Sequence, residues 1–115
     1  MNARALKVLG VVRTDATFTR QTVRGEELWV GRCIFCDARL VVALDGRCGP
    51  EVSIEHITPR NHGGDDSPQN LALGCAGCNQ EKGRRHDARS KSNARRQEVE
   101  AALHAKRQAR WRELG

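Results

Sequence analysis

The chain has 115 residues with two Trp, two Phe and no Tyr, which is enough for one domain but a poor stock of large core side chains. No apolar run is long enough for a transmembrane helix, and residues 1–12 are too mixed in polarity for a secretory signal. We therefore expect a cytoplasmic protein with reduced thiols. Its five cysteines then indicate a metal staple, which small domains without a large core often need.

The net charge of +6 is distributed unevenly along the chain. Residues 1–30 carry +2, residues 31–81 carry −3 and residues 82–115 carry +7. Such a basic C-terminal segment is typical of a protein that binds a polyanion, with nucleic acid as the first candidate. A solvated helix that only keeps the protein soluble fits the same charge, so both interpretations stay open at this point.

The residue pattern predicts strands in the first two thirds of the chain and helices in the last third. A turn signal, Asp45-Gly46, lies between two apolar runs, so residues 40–57 predict a β-hairpin. Residues 61–69 are dense in Gly, Asp, Ser and Pro and predict a loop. The remaining predicted elements are a buried element of unassigned type within residues 1–12, strands at residues 17–23 and 71–73, a helix from Ala76 to near Ser90, and a last helix, capped by Asn93, that reaches Leu114.

Four of the cysteines form two pairs with a two-residue gap, Cys33/Cys36 and Cys75/Cys78. This gap lets a tight turn direct both sulfurs at one ion, and two such pairs predict a closed, structural zinc site. A redox motif or unligated core thiols would explain one pair, but two pairs favour zinc. Cys48 is left over within a turn, and we expect it to be a bystander.

A carboxylate and an imidazole, Glu55 and His56, end the second strand of the predicted hairpin. An imidazole can take a proton from water because it titrates near neutrality. A lone Glu-His pair is more often a surface feature without a catalytic role. The residues that follow it in this chain favour a catalytic role instead. They are Asn70, Asn79 directly after Cys78, and Lys82-Gly83, which completes a Cys-Asn-x-x-Lys-Gly motif.

Together these motifs resemble the HNH family of nucleases, which has the ββα-metal fold. The family pattern is a Cys-x-x-Cys, an acidic-His pair before a Pro, a Gly-Gly loop, an Asn-Leu and a final Cys-x-x-Cys-Asn-x-x-Lys-Gly, and all of these stand within residues 32–84. The resemblance implies that His56 activates the attacking water and that Asn70 braces the loop and so orients the imidazole. It also implies that Glu55 and Asn79 bind a catalytic divalent cation such as Mg²⁺.

Two positions depart from the commonest family pattern, since Glu55 replaces an Asp and Asn79 replaces a His. Both side chains offer oxygen atoms, which suit a hard cation such as Mg²⁺. Consecutive residues of a strand point to opposite faces, so Glu55 and His56 can serve one phosphate only if the strand end is distorted or the ion lies at its edge. Lys82 shares a helix face with Asn79, and the predicted nucleic-acid contacts are Lys82, Arg84 and Arg85.

We therefore expect a small α+β fold, a ββα-metal domain stapled by a four-cysteine zinc site and followed by a basic C-terminal helix. Its predicted parts are an N-terminal extension at residues 1–31, a nuclease domain at residues 32–90 and the basic helix at residues 91–115. The implied function is a divalent-metal-dependent endonuclease that hydrolyses phosphodiester bonds in DNA. The alternatives are a zinc-stapled nucleic-acid-binding or adaptor module with an inactive site and a purely structural zinc protein. The intact set of Glu55, His56 and Asn79 favours the nuclease.

Overall fold

The computed structural model describes residues 2–113 and confirms a mixed α+β fold of helices and antiparallel strands. None of the helices in these residues is long and apolar enough to cross a membrane. Short 3₁₀ turns at Arg60–His62 and Pro68–Asn70 precede the last strand, and a π-helical turn at Gly83–Asp87 continues the second helix. The main elements are α1 (Ala3–Thr14), β1 (Thr19–Val23), β2 (Glu26–Arg32), β3 (Arg39–Ala43), β4 (Val52–His56), β5 (Leu71–Cys75), α2 (Ala76–Lys82) and α3 (Ala94–Ala109).

The N-terminal element of unassigned type is the helix α1. Asn2 caps it, because its side-chain oxygen accepts the N–H of Ala5 at 2.7 Å. Val8, Leu9 and Val12 follow helical spacing and are buried against apolar side chains of β3, β4 and β5. One core therefore holds α1 against both sheets of the protein.

The hairpin predicted for residues 40–57 is wrong. β3 is the third strand of a β1-β2-β3 sheet, while β4 pairs with β5 in a separate two-stranded sheet, and all pairs are antiparallel. The turn at Gly46 brings Arg47 back to Ala43, the last residue of β3, whose N–H donates to the Arg47 carbonyl oxygen at 2.8 Å, but no strand pairing with β3 follows it. Gly46 has φ of 92°, and a Cβ there would lie 2.4 Å from the carbonyl oxygen of Ala5, so the close approach of α1 requires glycine.

The two predicted C-terminal helices are present. The first is α2 with its π-helical continuation to Asp87, and the second is α3, whose predicted cap is confirmed because the Asn93 side chain accepts the N–H of Arg96 at 3.0 Å. α3 ends at Ala109, so the prediction that it reaches Leu114 is wrong: residues 110–113 are not helical, and Trp111 forms an isolated antiparallel bridge with Asp15. Leu103 and Val99 pack on a second apolar cluster of Ile34, Ile57 and Ala72.

Several basic side chains of the C-terminal segment are internal braces. Arg107 is only 1% exposed and donates to the carbonyl oxygens of Leu71 at 2.8 Å and Thr14 at 2.9 Å. Burial lowers the pKa of Arg107, and the ring of Trp111 lies over its guanidinium with the centroid at 4.9 Å. Arg96, Arg110 and Arg112 likewise donate to backbone carbonyls, at Ser90, Arg32 and Arg13 respectively.

We expect Arg107→Ala to lower the free energy of unfolding by about 2–4 kcal/mol, because it leaves buried carbonyl oxygens without a donor. Urea unfolding followed by circular dichroism measures this change. Gln108→Ala, at the exposed neighbouring position of α3, is the matched control and should change stability little. Equal stability of the two variants would contradict the bracing role of Arg107.

Candidate functional site

The four predicted metal-binding cysteines come together from two distant parts of the chain. Cys33 and Cys36 lie in the turn between β2 and β3, Cys75 ends β5, and Cys78 is in the first turn of α2. Their Sγ atoms all lie within 4.8 Å of one another, and those of Cys36 and Cys75 are 3.7 Å apart. The cluster therefore has the donor type and the spacing that fit a structural zinc ion.

The backbone around the cluster favours a thiolate at Cys33. Burial alone would raise the pKa of this thiol, but hydrogen bonds from the backbone N–H groups of Cys36, Cys75 and Phe35 outweigh it and lower the pKa to about 7. Burial and the neighbouring sulfurs raise the pKa values of Cys75 and Cys78. Sulfurs this crowded need a cation among them before all four can carry negative charge.

His56 ends β4, and its imidazole lies against the Gly-rich loop that follows. Nε2 is 2.7 Å from the Oδ1 atom of Asp66, and the His56 side chain is 22% exposed. A contact this short with a carboxylate requires a proton on Nε2. In the neutral imidazole the basic nitrogen is then Nδ1, which is the atom available to take a proton from water.

Asp66 is a site residue that the sequence reasoning missed, because it was treated as part of a polar loop. Besides His56, it binds Arg60 through Nη2 at 2.9 Å and Lys7 through Nζ at 3.2 Å. Hydrogen bonds from His56, Lys7 and Arg60 hold the pKa of Asp66 well below its usual range. The doublet Asp65-Asp66 directly after Gly63-Gly64 was the available sequence signal.

Asn70 fastens the same loop from inside. Its Oδ1 accepts the N–H of Thr58 at 2.8 Å, while its Nδ2 donates to the carbonyl oxygens of Thr58 at 3.0 Å and Asp65 at 2.9 Å. At Gly64 a Cβ would lie 1.6 Å from the carbonyl oxygen of Thr58, so the loop closes this tightly only with glycine. The Asn70 amide thus fixes the backbone immediately before Asp66.

Lys82, a predicted phosphate contact, lies inside the protein. Its side chain is 4% exposed, and its ammonium group donates to Asp87 at 2.7 Å and to the carbonyl oxygen of Ile57 at 3.3 Å. The Oε1 atom of Glu55 is 3.5 Å away. The physical reason is that Lys82 lies on the face of α2 that packs on β4. Its side chain therefore points to the strand and links the strand end to the helix.

Glu55 is almost fully buried and incompletely paired. Within residues 2–113 its Oε2 atom has no hydrogen-bond partner. Burial raises the pKa of Glu55 to about 7, although the charge of Lys82 acts in the opposite direction. A buried carboxylate oxygen without a hydrogen-bond partner is a suitable ligand atom for a cation. When no cation is bound, the carboxyl group prefers to be protonated.

The second proposed oxygen ligand is on Asn79. Its Nδ2 donates to Ser53 Oγ at 2.6 Å and to the carbonyl oxygen of Ile54 at 3.2 Å, which directs Oδ1 away from these acceptors. Glu55 and Asn79 contact the face of β4 that α2 covers, and their oxygens fit a hard divalent cation. The imidazole of His56 contacts Asp66, and the described residues show no hydrogen bond between it and Glu55 or Asn79, as expected for neighbouring strand residues that point to opposite faces.

The burial of Glu55 predicts a pH-dependent stability. Because the folded carboxyl has a pKa near 7 and the unfolded one near 4.5, the folded protein binds more protons between these values, and stability falls as pH rises through this window. Across this window the free energy of unfolding decreases by roughly 3 kcal/mol in total. Without added divalent cation, Glu55→Gln should equal the wild type near pH 4.5 and exceed it at pH 8. The exposed Glu26→Gln is the control, and identical pH profiles for Glu55→Gln and wild type would contradict this account.

Arg84 and Arg85, the other predicted nucleic-acid contacts, are exposed on the π-helical turn, where both pair with Glu81. Beside them lies a surface cavity of about 500 Å³. Several exposed positive charges of the C-terminal half thus lie here, in contrast to the buried Arg107. The cavity is lined by Arg85, His86, Arg89, Asn93 and Arg95.

The fold and the site define a small α+β protein with a four-cysteine cluster, fit for a metal ion, between a strand turn and a helix start. Residues 33–85 match the model of the family described as HNH endonuclease, which confirms the resemblance over this segment. The matched segment contains both cysteine pairs as well as Glu55, His56 and Asn79. Comparison with curated proteins and with solved structures returned no match. The match supports a nuclease-type function in general and nucleic acid as the class of partner.

Proposed function

We propose that the protein is a divalent-metal-dependent endonuclease that hydrolyses phosphodiester bonds in DNA, with His56 as the general base. The observation that carries this proposal is the HNH match at residues 33–85, which contains His56 together with its loop partner Asp66. A positioned imidazole with one nitrogen bound to a carboxylate is an arrangement suited to removing a proton from water.

The chemistry requires a deprotonated water, positive charge beside the phosphate and a proton for the leaving oxygen. His56 accepts the proton of water on Nδ1, and Asp66, bound to Nε2–H, then stabilises the imidazolium that forms. Asn70 acts through the loop and is a positioning residue. Glu55 and Asn79 would hold the divalent cation, which when bound supplies positive charge beside the scissile phosphate.

We further propose that the four cysteines bind Zn²⁺ and that this site is structural. An ion bound there would fasten the turn between β2 and β3 to the junction of β5 and α2, and so hold the two sheets together. Reduced cysteines of this kind suit a cytoplasmic location, which we propose on that ground.

A second candidate function has a specific observation in its favour. Glu55 contacts Lys82 whereas His56 contacts Asp66, and neither Glu55 nor His56 lines the basic cavity near Arg89. This arrangement suits a nucleic-acid-binding or adaptor module whose HNH site is inactive. The two candidates differ in whether bound DNA is cut.

Incubation of supercoiled plasmid with the purified protein in Mg²⁺, Mn²⁺ or EDTA tests the proposal. The expected result is nicked or linear DNA with a divalent cation and intact plasmid in EDTA. Because EDTA can also remove zinc, circular dichroism must show that the fold is retained in the chelated sample. Binding without cleavage under every cation and DNA form would reject the nuclease and favour the binding module.

A further inference from the structure

A positively charged group surrounds Asp66 next to the proposed base. Lys7 comes from α1, Arg60 from the 3₁₀ turn after β4, and His56 from the end of β4 itself. The Nη2 atom of Arg60 lies 2.9 and 3.0 Å from the two Asp66 oxygens, and Nζ of Lys7 lies 3.2 Å from Oδ2. Three separate segments therefore place donors at one point.

The charges of this group do not balance. Lys7 and Arg60 carry two permanent positive charges, and Asp66 supplies one negative charge. The three side chains that contact Asp66 are all partly exposed, and that of Arg60 is the most exposed, at 62%. A net positive, solvent-accessible group of Lys and Arg beside a base attracts phosphate, the anion that both side chains bind well.

Lys7 lies in α1, outside the segment that matches the HNH model. Only the packing of α1 on the shared core brings its ammonium group to the loop that contains Asp66. The N-terminal helix therefore contributes charge to the site as well as apolar side chains to the core.

We propose that Lys7 and Arg60 bind a backbone phosphate of the nucleic acid beside His56, with Asp66 holding the two cations in place while it accepts the proton on His56 Nε2. This inference rests on the proposed function in that the substrate is DNA. It makes α1 part of the substrate-binding surface. It also assigns the phosphate contact nearest the base to Lys7 and Arg60 instead of the buried Lys82.

The inference is tested by measuring the binding of a fluorescent DNA duplex by anisotropy over a range of salt concentrations, without added divalent cation. Lys7→Ala and Arg60→Ala should each weaken binding and reduce the slope of log affinity against log salt by about 0.9, the value for one lost phosphate contact. Arg13→Ala is the matched control because it removes one exposed charge from the same helix. Unchanged slopes for both Lys7→Ala and Arg60→Ala, or equal loss in Arg13→Ala, would overturn the inference.

Asp66→Asn separates binding from chemistry. It should bind DNA at least as tightly as the wild type, since the surplus positive charge increases while the remaining amide oxygen can still accept from Lys7 and Arg60, but it should cleave more slowly because His56 loses its charged partner. Weaker binding by Asp66→Asn would contradict the proposed charge balance.

Cleavage in Mg²⁺ is measured separately. If wild type cleaves and Lys7→Ala binds normally, the inference fails and the nuclease stands. If wild type shows Lys7-dependent binding without cleavage, the nuclease fails and the phosphate site stands.

Discussion

Cys33→Ser is expected to abolish the stable fold. Cys33 is fully buried, and its sulfur accepts backbone N–H groups from Phe35 and Cys75, so it lies at the centre of both turns of the cluster. Structural zinc sites contribute about 10–16 kcal/mol of apparent binding free energy. The net stability of a small domain is about 5–15 kcal/mol. Loss of the ion therefore removes as much free energy as the whole fold retains.

Zinc content by atomic emission and far-ultraviolet circular dichroism together measure this result. Cys48→Ser is the matched control, since it makes the same chemical change outside the cluster, at a sulfur that contacts Arg4 at 3.4 Å. It should keep one zinc ion per chain and a folded spectrum. Folded wild-type protein without zinc, or a folded Cys33→Ser protein, would contradict the structural role.

Features set by short stretches of sequence could be predicted. The two-residue gaps between cysteines predicted a cluster that the structure forms, and Asn93 predicted the start of α3, because both depend on local geometry. The hairpin at residues 40–57 was wrong because strand pairing depends on distant partners. Asp45-Gly46 specifies a turn, but the contact between Gly46 and α1 decides where the chain goes afterwards.

The surroundings of the site could be predicted less well, because charge in a sequence does not tell which way a side chain points. Helical spacing predicted Lys82 as a surface contact, yet the buried carboxylate of Glu55 and the partly buried carboxylate of Asp87 hold its ammonium group inside the protein. Asp66 and Lys7 are 59 positions apart in the numbering and meet only through the packing of α1. No local pattern contains that contact.

The basic C-terminal segment shows the same limit. Its charge predicted either a polyanion contact or a solvated helix, and the structure divides it between two roles. Arg107 and Arg110 are buried braces, whereas Arg89 and Arg95 line an exposed cavity. Removing the whole segment would therefore destabilise the fold and confuse any measurement of binding, so single substitutions at exposed arginines are the sharper test.

His56→Ala is expected to lower the cleavage rate by about 10²–10⁴-fold, the usual contribution of a positioned general base. Zinc content and stability should change little, because the imidazole is partly exposed and lies outside both apolar clusters. Single-turnover cleavage of labelled DNA in Mg²⁺ measures this rate.

His86→Ala is the matched control, since it removes a partly exposed imidazole from the π-helical turn without touching β4. It should retain cleavage, although it lines the basic cavity and can weaken binding. Glu55→Ala and Asn79→Ala should instead raise the concentration of divalent cation needed, because they remove proposed ligands and leave the base in place. Equal cleavage by wild type and folded His56→Ala would remove His56 from the mechanism, whereas loss of cleavage in both histidine variants would indicate a shared effect on DNA binding.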